Sequence, residues 1–361
     1  MSTAGMRCRG FSHGRPRFER CRSLGEMPLR QAVESACMSP RKRSAARQWV
    51  RANLRRYFVA CYTPFHRDGE IDEPALRRNV RATLAKPGVG GLSLHSIHQE
   101  FWTLTLAERK RVTDAILEEV AGEAPVVVGI SDPAARNAVD LARHAEAAGA
   151  AAVMLWPPYY GPRTPAGVRA YYESVAERID IGIFAYSTTL SELGFLLDAA
   201  QVEGLLGIEH LCGVQVTVND PARFDEMMRR VGDRICVTTS LEETFLRARR
   251  LFAERASDFT LGSSRPLLVQ NAEHPVCGRF MDAALRGDWN EAESFQRRIS
   301  ALAQRLQTRY FAQGFHHVAL FKRLAGLLGL ETHGLRPPLA EPDAVELAEC
   351  VEVLRGAGLL P

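Results

Sequence analysis

Residues 125–156, PVVVGISDPAARNAVDLARHAEAAGAAAVMLW, decide the fold. An apolar run over 125–130 gives way to a polar break and a helical stretch over 135–148, and a second apolar run covers 152–156. Short valine-rich runs bounded by Gly and Pro read as strands buried on both faces, and the stretch between them is long enough for a crossover helix. Working outward, the same alternation recurs. Strands are predicted over 58–62, 91–95, 125–130, 152–156, 182–186, 206–209, 234–239 and 258–262, with helices over 73–84, 106–120, 135–148, 165–179 and 241–254. Strands and helices alternating in this number over about 210 residues predict an α/β fold, a closed (β/α)8 TIM barrel rather than an open sheet. Beyond the eighth strand the pattern is helical only, over 290–311, 314–328 and 343–355, with Arg336-Pro337-Pro338 separating the last two. The expected organisation is an arm over 1–45, the barrel over 46–270 and a three-helix appendage over 271–361.

Composition narrows the class. A chain of 361 residues with 46% hydrophobic residues can bury a large core. No apolar run reaches the length of a membrane span, so no membrane partner is expected. Eight scattered cysteines without a CxxC pair argue against a disulfide framework or a zinc ribbon and suit a reducing cytoplasm. The net charge of +4 conceals an asymmetry: residues 1–56 hold 14 Lys and Arg against three Glu, leaving the remainder mildly acidic. The arm lacks apolar periodicity and reads as disordered. It admits three readings: an upstream extension with Met38 as an alternative start, a basic nucleic-acid arm, or a transit peptide. Only Phe11 and Phe18 stand among its arginines, too few to support nucleic acid, which is not expected as a partner.

In such a barrel the site is built at the C-terminal ends of the strands. Those ends collect Thr63-Pro64-Phe65, Ser96-Ile97-His98-Gln99-Glu100 after His95, Pro157-Pro158-Tyr159-Tyr160 after Trp156, Tyr186-Ser187-Thr188-Thr189, Glu209-His210, Thr238-Thr239-Ser240 and Ser263-Ser264-Arg265. Glu209 closes the run Leu205-Leu206-Gly207-Ile208, read as strand six, and is therefore expected at the pocket.

With these segments in order the chain resembles the dihydrodipicolinate synthase / N-acetylneuraminate lyase superfamily. The resemblance runs from about Arg56 to the C-terminus. It rests on Thr63-Pro64-Phe65 followed by Asp68-Gly69-Glu70-Ile71-Asp72, and on Glu100 with Thr103-Leu104-Thr105 and Glu108-Arg109. Further along it rests on Pro158-Tyr159-Tyr160, Tyr186, Lys322 with Leu327-Leu328-Gly329-Leu330, and Gly334-Leu335-Arg336-Pro337-Pro338-Leu339. The resemblance implies a strand-six lysine that forms a Schiff base with a 2-oxo acid. Here Gly207-Ile208-Glu209 is read in the Gly-Ile-Lys place. The four lysines, Lys42, Lys86, Lys110 and Lys322, all lie elsewhere. A carboxylate cannot form an imine. The carboxylate-binding Gly-Thr-Thr-Gly loop of the resemblance is also replaced, by Ser96-Ile97-His98-Gln99.

The expectation is a lyase of the aldolase or hydro-lyase kind for a small oxo or hydroxy acid, working without a Schiff base and without a cofactor. Tyr186 and Glu209 are the expected acid/base residues, with Ser96, Ile97, His98, Tyr160 and Arg265 around the substrate. Glu209 could instead pair with His98 or Arg265 and plug a dead site. A metal held by His95, His98, Glu100, Glu209 and His210 is a third reading; strand alternation turns some of these outward, and no metal is expected. The rival to an enzyme is a catalytically silent relative that binds a ligand or partner. A homo-oligomer, tetramer or dimer, is what the resemblance implies.

Overall fold

The computed structural model describes residues 42–190 and 195–361, so the arm reading falls outside the described residues except at its last four positions. Helix α1 (Ala46–Asn53) leads into β1 (Arg56–Ala60). There follow α2 (Glu73–Leu84), β2 (Val89–Leu94), α3 (Leu106–Val120), β3 (Val126–Gly129), α4 (Ala135–Ala147), β4 (Ala152–Leu155), α5 (Pro165–Ala176) and β5 (Ile183–Thr188). The barrel continues with α6 (Ala199–Gly204), β6 (Leu211–Thr217), α7 (Pro221–Val231), β7 (Cys236–Thr238), α8 (Glu242–Phe252) and β8 (Phe259–Ser263). Then come α9 (Arg265–Leu268), α10 (Val276–Arg286), α11 (Trp289–Leu306), α12 (His317–Leu327) and α13 (Ala344–Gly356).

Several helices start where a short polar side chain satisfies the first free N–H groups. Asp72 accepts the Ala75 N–H ahead of α2, and Thr105 with Glu108 closes a capping box on α3. Thr164-Pro165 and Asp220-Pro221 open α5 and α7 in the same way. The eight strands are parallel and ordered β7-β6-β5-β4-β3-β2-β1-β8. The ring is completed by Leu261 N–H donating to the Thr239 carbonyl at 2.9 Å and Thr238 Oγ1 to the Phe259 carbonyl at 2.7 Å. This is the (β/α)8 barrel, with helices appended at the C-terminus.

Alternate residues of each strand point inward and fill the barrel in layers. Its floor is aromatic: Phe259 meets Phe58 and Phe184 edge-on, at centroid distances of 5.6 and 6.0 Å. The space for two of these rings comes from missing side chains. A Cβ on Gly91 would lie 2.4 Å from the Phe58 ring, and one on Gly213 would lie 2.5 Å from that of Phe184. Below the floor, α1 covers the N-terminal mouth with Ala46, Val50 and Leu54. Arg47 donates to the carbonyls of Leu206, Ile208 and Leu211, and Arg51 to those of Gly232 and Ile235.

Several elements differ from the sequence reading: a helix, a strand and a second helix occupy 199–231, where only a strand at 206–209 is predicted. Residues 206–209 are not a strand. Leu205 and Ile208 are buried against the helical layer at a spacing of three, and successive turn bonds (Ile208 N–H to Leu205, Leu211 N–H to Ile208) carry the chain from α6 into β6. The apolar pattern here is that of a turn, not a pleat. Helix α10 was also not expected. Its Gly278 interrupts the helical pattern because it packs on Pro87 and Gly88, where a Cβ would sit 2.7 Å from the proline ring.

Candidate functional site

Above the aromatic floor, at the C-terminal ends of the strands, a cavity of about 100 Å³ opens, small beside the roughly 300–1,000 Å³ of clefts that take drug-sized ligands. Its polar wall carries Ser93 and Ser96, Tyr186, Gln215 and Thr217, and Ser240. The apolar wall includes Met154, Trp156, Leu190 and Phe311. Trp156 stacks on Tyr186 at 5.0 Å and meets Phe101 edge-on at 5.3 Å, so the indole narrows the mouth.

Strand β6 supplies the side chains that the sequence reading missed. Gly213, Gln215 and Thr217 face inward, while Val214, Val216 and Val218 join the helical layer. Gln215 stands beside Tyr186 in the β5–β6 register. Its amide donates to Thr217 Oγ1 at 3.3 Å, and that hydroxyl lies 3.1 Å from Ser240 Oγ. A signal for this strand was present. A strict two-residue alternation of valine with Gly, Gln and Thr runs directly into the Asp220-Pro221 helix start.

The 95–100 loop is held at both ends in the left-handed region, with His95 at φ 50° and Glu100 at φ 57°. Non-glycine residues occupy that region only when surrounding contacts enforce it. Here the His95 N–H donates to the Gln99 side-chain carbonyl, Thr63 Oγ1 donates to the Gln99 backbone, and Glu100 is gripped by Lys322 from α12. The Glu100–Lys322 pair is fully buried at 2.5 Å. Burial raises the Glu100 carboxyl and lowers the Lys322 ammonium to about 8. The pair holds the loop so that Ser96, Ile97 and His98 line the cavity. Ser96 Oγ is buried and has no hydrogen-bond partner among the described residues. His98 Nε2 lies 3.3 Å from Ser264 Oγ, its ring lies parallel to Phe321, and burial, with His317 nearby, drives its pKa to about 3. Burial raises the Tyr186 phenol, opposed by hydrogen bonds with Thr188 and Thr217.

Of the expected site residues, the structure therefore brings Tyr186, Ser96, Ile97 and His98 together. It does not bring the other three. Glu209 is exposed in the turn before β6, at the opposite end of the barrel, because the strand begins two residues after it. Tyr160 is 81% exposed, its loop being anchored instead by Tyr159 against Phe101. Arg265 is buried in ion pairs with Glu242 and Glu243, and Glu242 also accepts from Tyr57, so its charge is engaged behind β8. The five possible metal ligands are likewise dispersed. His95 turns out to Thr113 on α3, Glu100 to Lys322, and His210 lies buried at the N-terminal end.

The lysines are accounted for. Lys86 reaches the Leu328 carbonyl, Lys110 pairs with Asp140, Lys322 with Glu100, and Lys42 is exposed ahead of α1. None lines the cavity.

Residues 53–356 match the Dihydrodipicolinate synthetase family. The chain belongs to that family. Among similar proteins, a 4-hydroxy-tetrahydrodipicolinate synthase of Methylobacterium radiotolerans is 30% identical over 309 residues, covering 86% of this chain and 97% of the relative. One from Methanosarcina mazei is 27% identical, covering 83% and 97%. Solved structures agree in fold. The dihydrodipicolinate synthase of Aquifex aeolicus superposes with a TM-score of 0.73 at 22% identity over 85% of this chain and 99% of its own. N-acetylneuraminate lyase of Mycoplasma synoviae gives 0.70 at 19% over 84% and 98%. The curated relatives named above are synthases, and the solved structures share the barrel. No helix among the described residues is long and apolar enough to cross a membrane.

Proposed function

We propose that this family member is a lyase-type enzyme, of the aldolase or hydro-lyase kind, for a small oxo or hydroxy acid, and that it works without a Schiff base. One observation carries the reading: the β6 side chain that enters the pocket beside Tyr186 is Gln215. Gly213-Val214-Gln215 answers to the Gly-Ile-Lys of the family resemblance, in place of the earlier assignment to Glu209. A carboxamide has no amine free to condense with a carbonyl. It can donate hydrogen bonds. The Gln215 amide and the Tyr186 hydroxyl, kept neutral by burial, would polarise the oxo group and stabilise charge on its oxygen, with Tyr186 supplying the proton. Ser96 Oγ, buried and without a partner among the described residues, is suited to the carboxylate. The cavity fits an acid of a few carbons, the names of the relatives fit an oxo-acid substrate, and a dimer or tetramer fits the family.

A second reading, a silent member that binds such an acid without turning it over, is favoured by a different observation. Burial holds His98 far below neutrality and Tyr186 above its usual range, so both stay uncharged at pH 7. Neither is tuned to act as a base there.

Borohydride trapping with pyruvate, read by intact mass, tests the central claim. The wild type is expected to show no adduct, and Gln215→Lys one reduced adduct of about 72 Da. An adduct on the wild type would falsify the absence of imine chemistry. Cleavage or dehydration of 2-oxo and 2-hydroxy acids that is lost in Tyr186→Phe supports the enzyme; saturable pyruvate binding with no turnover supports the silent member.

A further inference from the structure

Outside the pocket, three side chains converge that the lyase reading does not use. His66 follows β1, Asp72 caps α2, and His333 lies between α12 and α13. One donor atom from each lies within 4.8 Å of the others. Asp72 divides its oxygens. Oδ1 accepts the Ala75 N–H at 3.0 Å, leaving Oδ2 at 2.9 Å from His333 Nε2 and 3.6 Å from His66 Nδ1. Neither histidine belongs to the motifs that carry the family resemblance.

The backbone beneath this cluster is fixed. Phe65 N–H donates to the His333 carbonyl at 2.9 Å, His66 N–H to Glu70, and Asp72 N–H to Pro64. The two segments approach so closely that a Cβ on Gly334 would lie 2.3 Å from the Phe65 carbonyl oxygen. Half-exposed imidazoles leave solvent room for further ligands, while the carboxylate is mostly buried. Two imidazole nitrogens and one carboxylate oxygen are the donor set of borderline divalent metals, and two nitrogens weigh against calcium and magnesium. A carboxylate oriented by a backbone N–H is also the kind of support that metal ligands receive.

We propose that His66, Asp72 and His333 form a binding site for a divalent transition metal of the zinc class, which ties the loop after β1 to the segment leading into α13. The site is independent of the lyase reading, because none of the three lines the pocket.

The test uses the full chain, stripped with chelator and titrated with Zn(II) by calorimetry and with Co(II) by absorption. One metal per chain is expected, with thermal unfolding shifted upward at saturating Zn(II). His66→Gln and His333→Gln should each weaken binding at least tenfold, and the double variant should abolish both binding and thermal shift. Asp72→Asn keeps a competent helix cap and should lose affinity while the metal-free protein melts unchanged. Stoichiometric binding that persists in the double variant, thiolate charge-transfer bands with Co(II), or no Zn(II) binding to the wild type would each overturn the assignment.

Discussion

Replacing Lys322 by methionine removes one member of a pair whose two side chains are completely buried, 222 residues apart in the chain. Its partner Glu100 already has one oxygen, Oε2, without a hydrogen bond among the described residues, so the substitution leaves an uncompensated carboxyl inside the protein. Breaking such a pair from one side costs about 3–5 kcal/mol. For a chain of this size that corresponds to a melting temperature lower by roughly 10 °C. The double variant Glu100→Gln/Lys322→Met replaces both charges and should recover much of the loss, so the double-mutant cycle isolates a coupling of at least about 2 kcal/mol near pH 7. The pH dependence has a defined sign. The folded pKa of Lys322, about 8, lies below its unfolded value of 10.5, so between these limits the unfolded chain holds a proton that the folded chain has released. Across that window stability gains from shedding the buried charge, while the attraction to Glu100 disappears. Guanidinium melts of the wild type, Glu100→Gln, Lys322→Met and the double variant, near neutrality and again at about pH 9.5, read both quantities. A cost below about 1 kcal/mol for Lys322→Met, or a coupling identical at the two pH values, would refute the claim that a charged buried pair holds the 95–100 loop.

Two further outcomes test the assignments around the barrel. Glu209→Gln, at an exposed turn on the far end from the pocket, should leave stability within about 0.5 kcal/mol and leave ligand binding and any turnover unchanged; a loss of binding would return Glu209 to the site. Arg336 pairs bidentately with Glu108 and holds its carboxyl at about 2, against a usual 4.5, with both side chains mostly buried. Because that folded pKa is depressed, the stabilisation is present above 4.5 and disappears as pH falls through about 2. Arg336→Leu should therefore cost about 2–3 kcal/mol in neutral urea melts and much less near pH 2.

Local chemistry made most of the barrel legible. Asp72, Thr105 and Thr164 announce α2, α3 and α5 because capping acts within four residues of chain. The valine runs of β3 and β4 are buried on both faces and stand out by composition alone. Strand β6 does not. Its inward residues are Gly213, Gln215 and Thr217, dictated by the Phe184 ring and by the pocket, so its apolar residues alternate with polar ones and do not form a run. Glu209 was drawn into the site by that one error of position, whereas the four lysines and their places along the chain are read directly from the sequence. Arg265 failed for another reason. Its partner Glu242 lies on the preceding helix, and which way a charge turns depends on a contact that no local pattern contains. The grip of Lys322 on Glu100 is beyond local reading for the same reason, although both residues stood out for their resemblance to family motifs.

The match to the family begins at residue 53, yet the helix closing the barrel from below occupies Ala46–Asn53. A protein trimmed to the family boundary would keep every strand and lose its cork. Val50 would leave the underside of the phenylalanine layer, and the carbonyls of Leu206, Ile208 and Leu211 would lose the guanidinium that caps them. Water could then enter from beneath, at the foot of the strand that carries Gln215. The seven residues upstream of that boundary are part of the vessel, and an inactive trimmed protein would report a leak rather than a property of the arm.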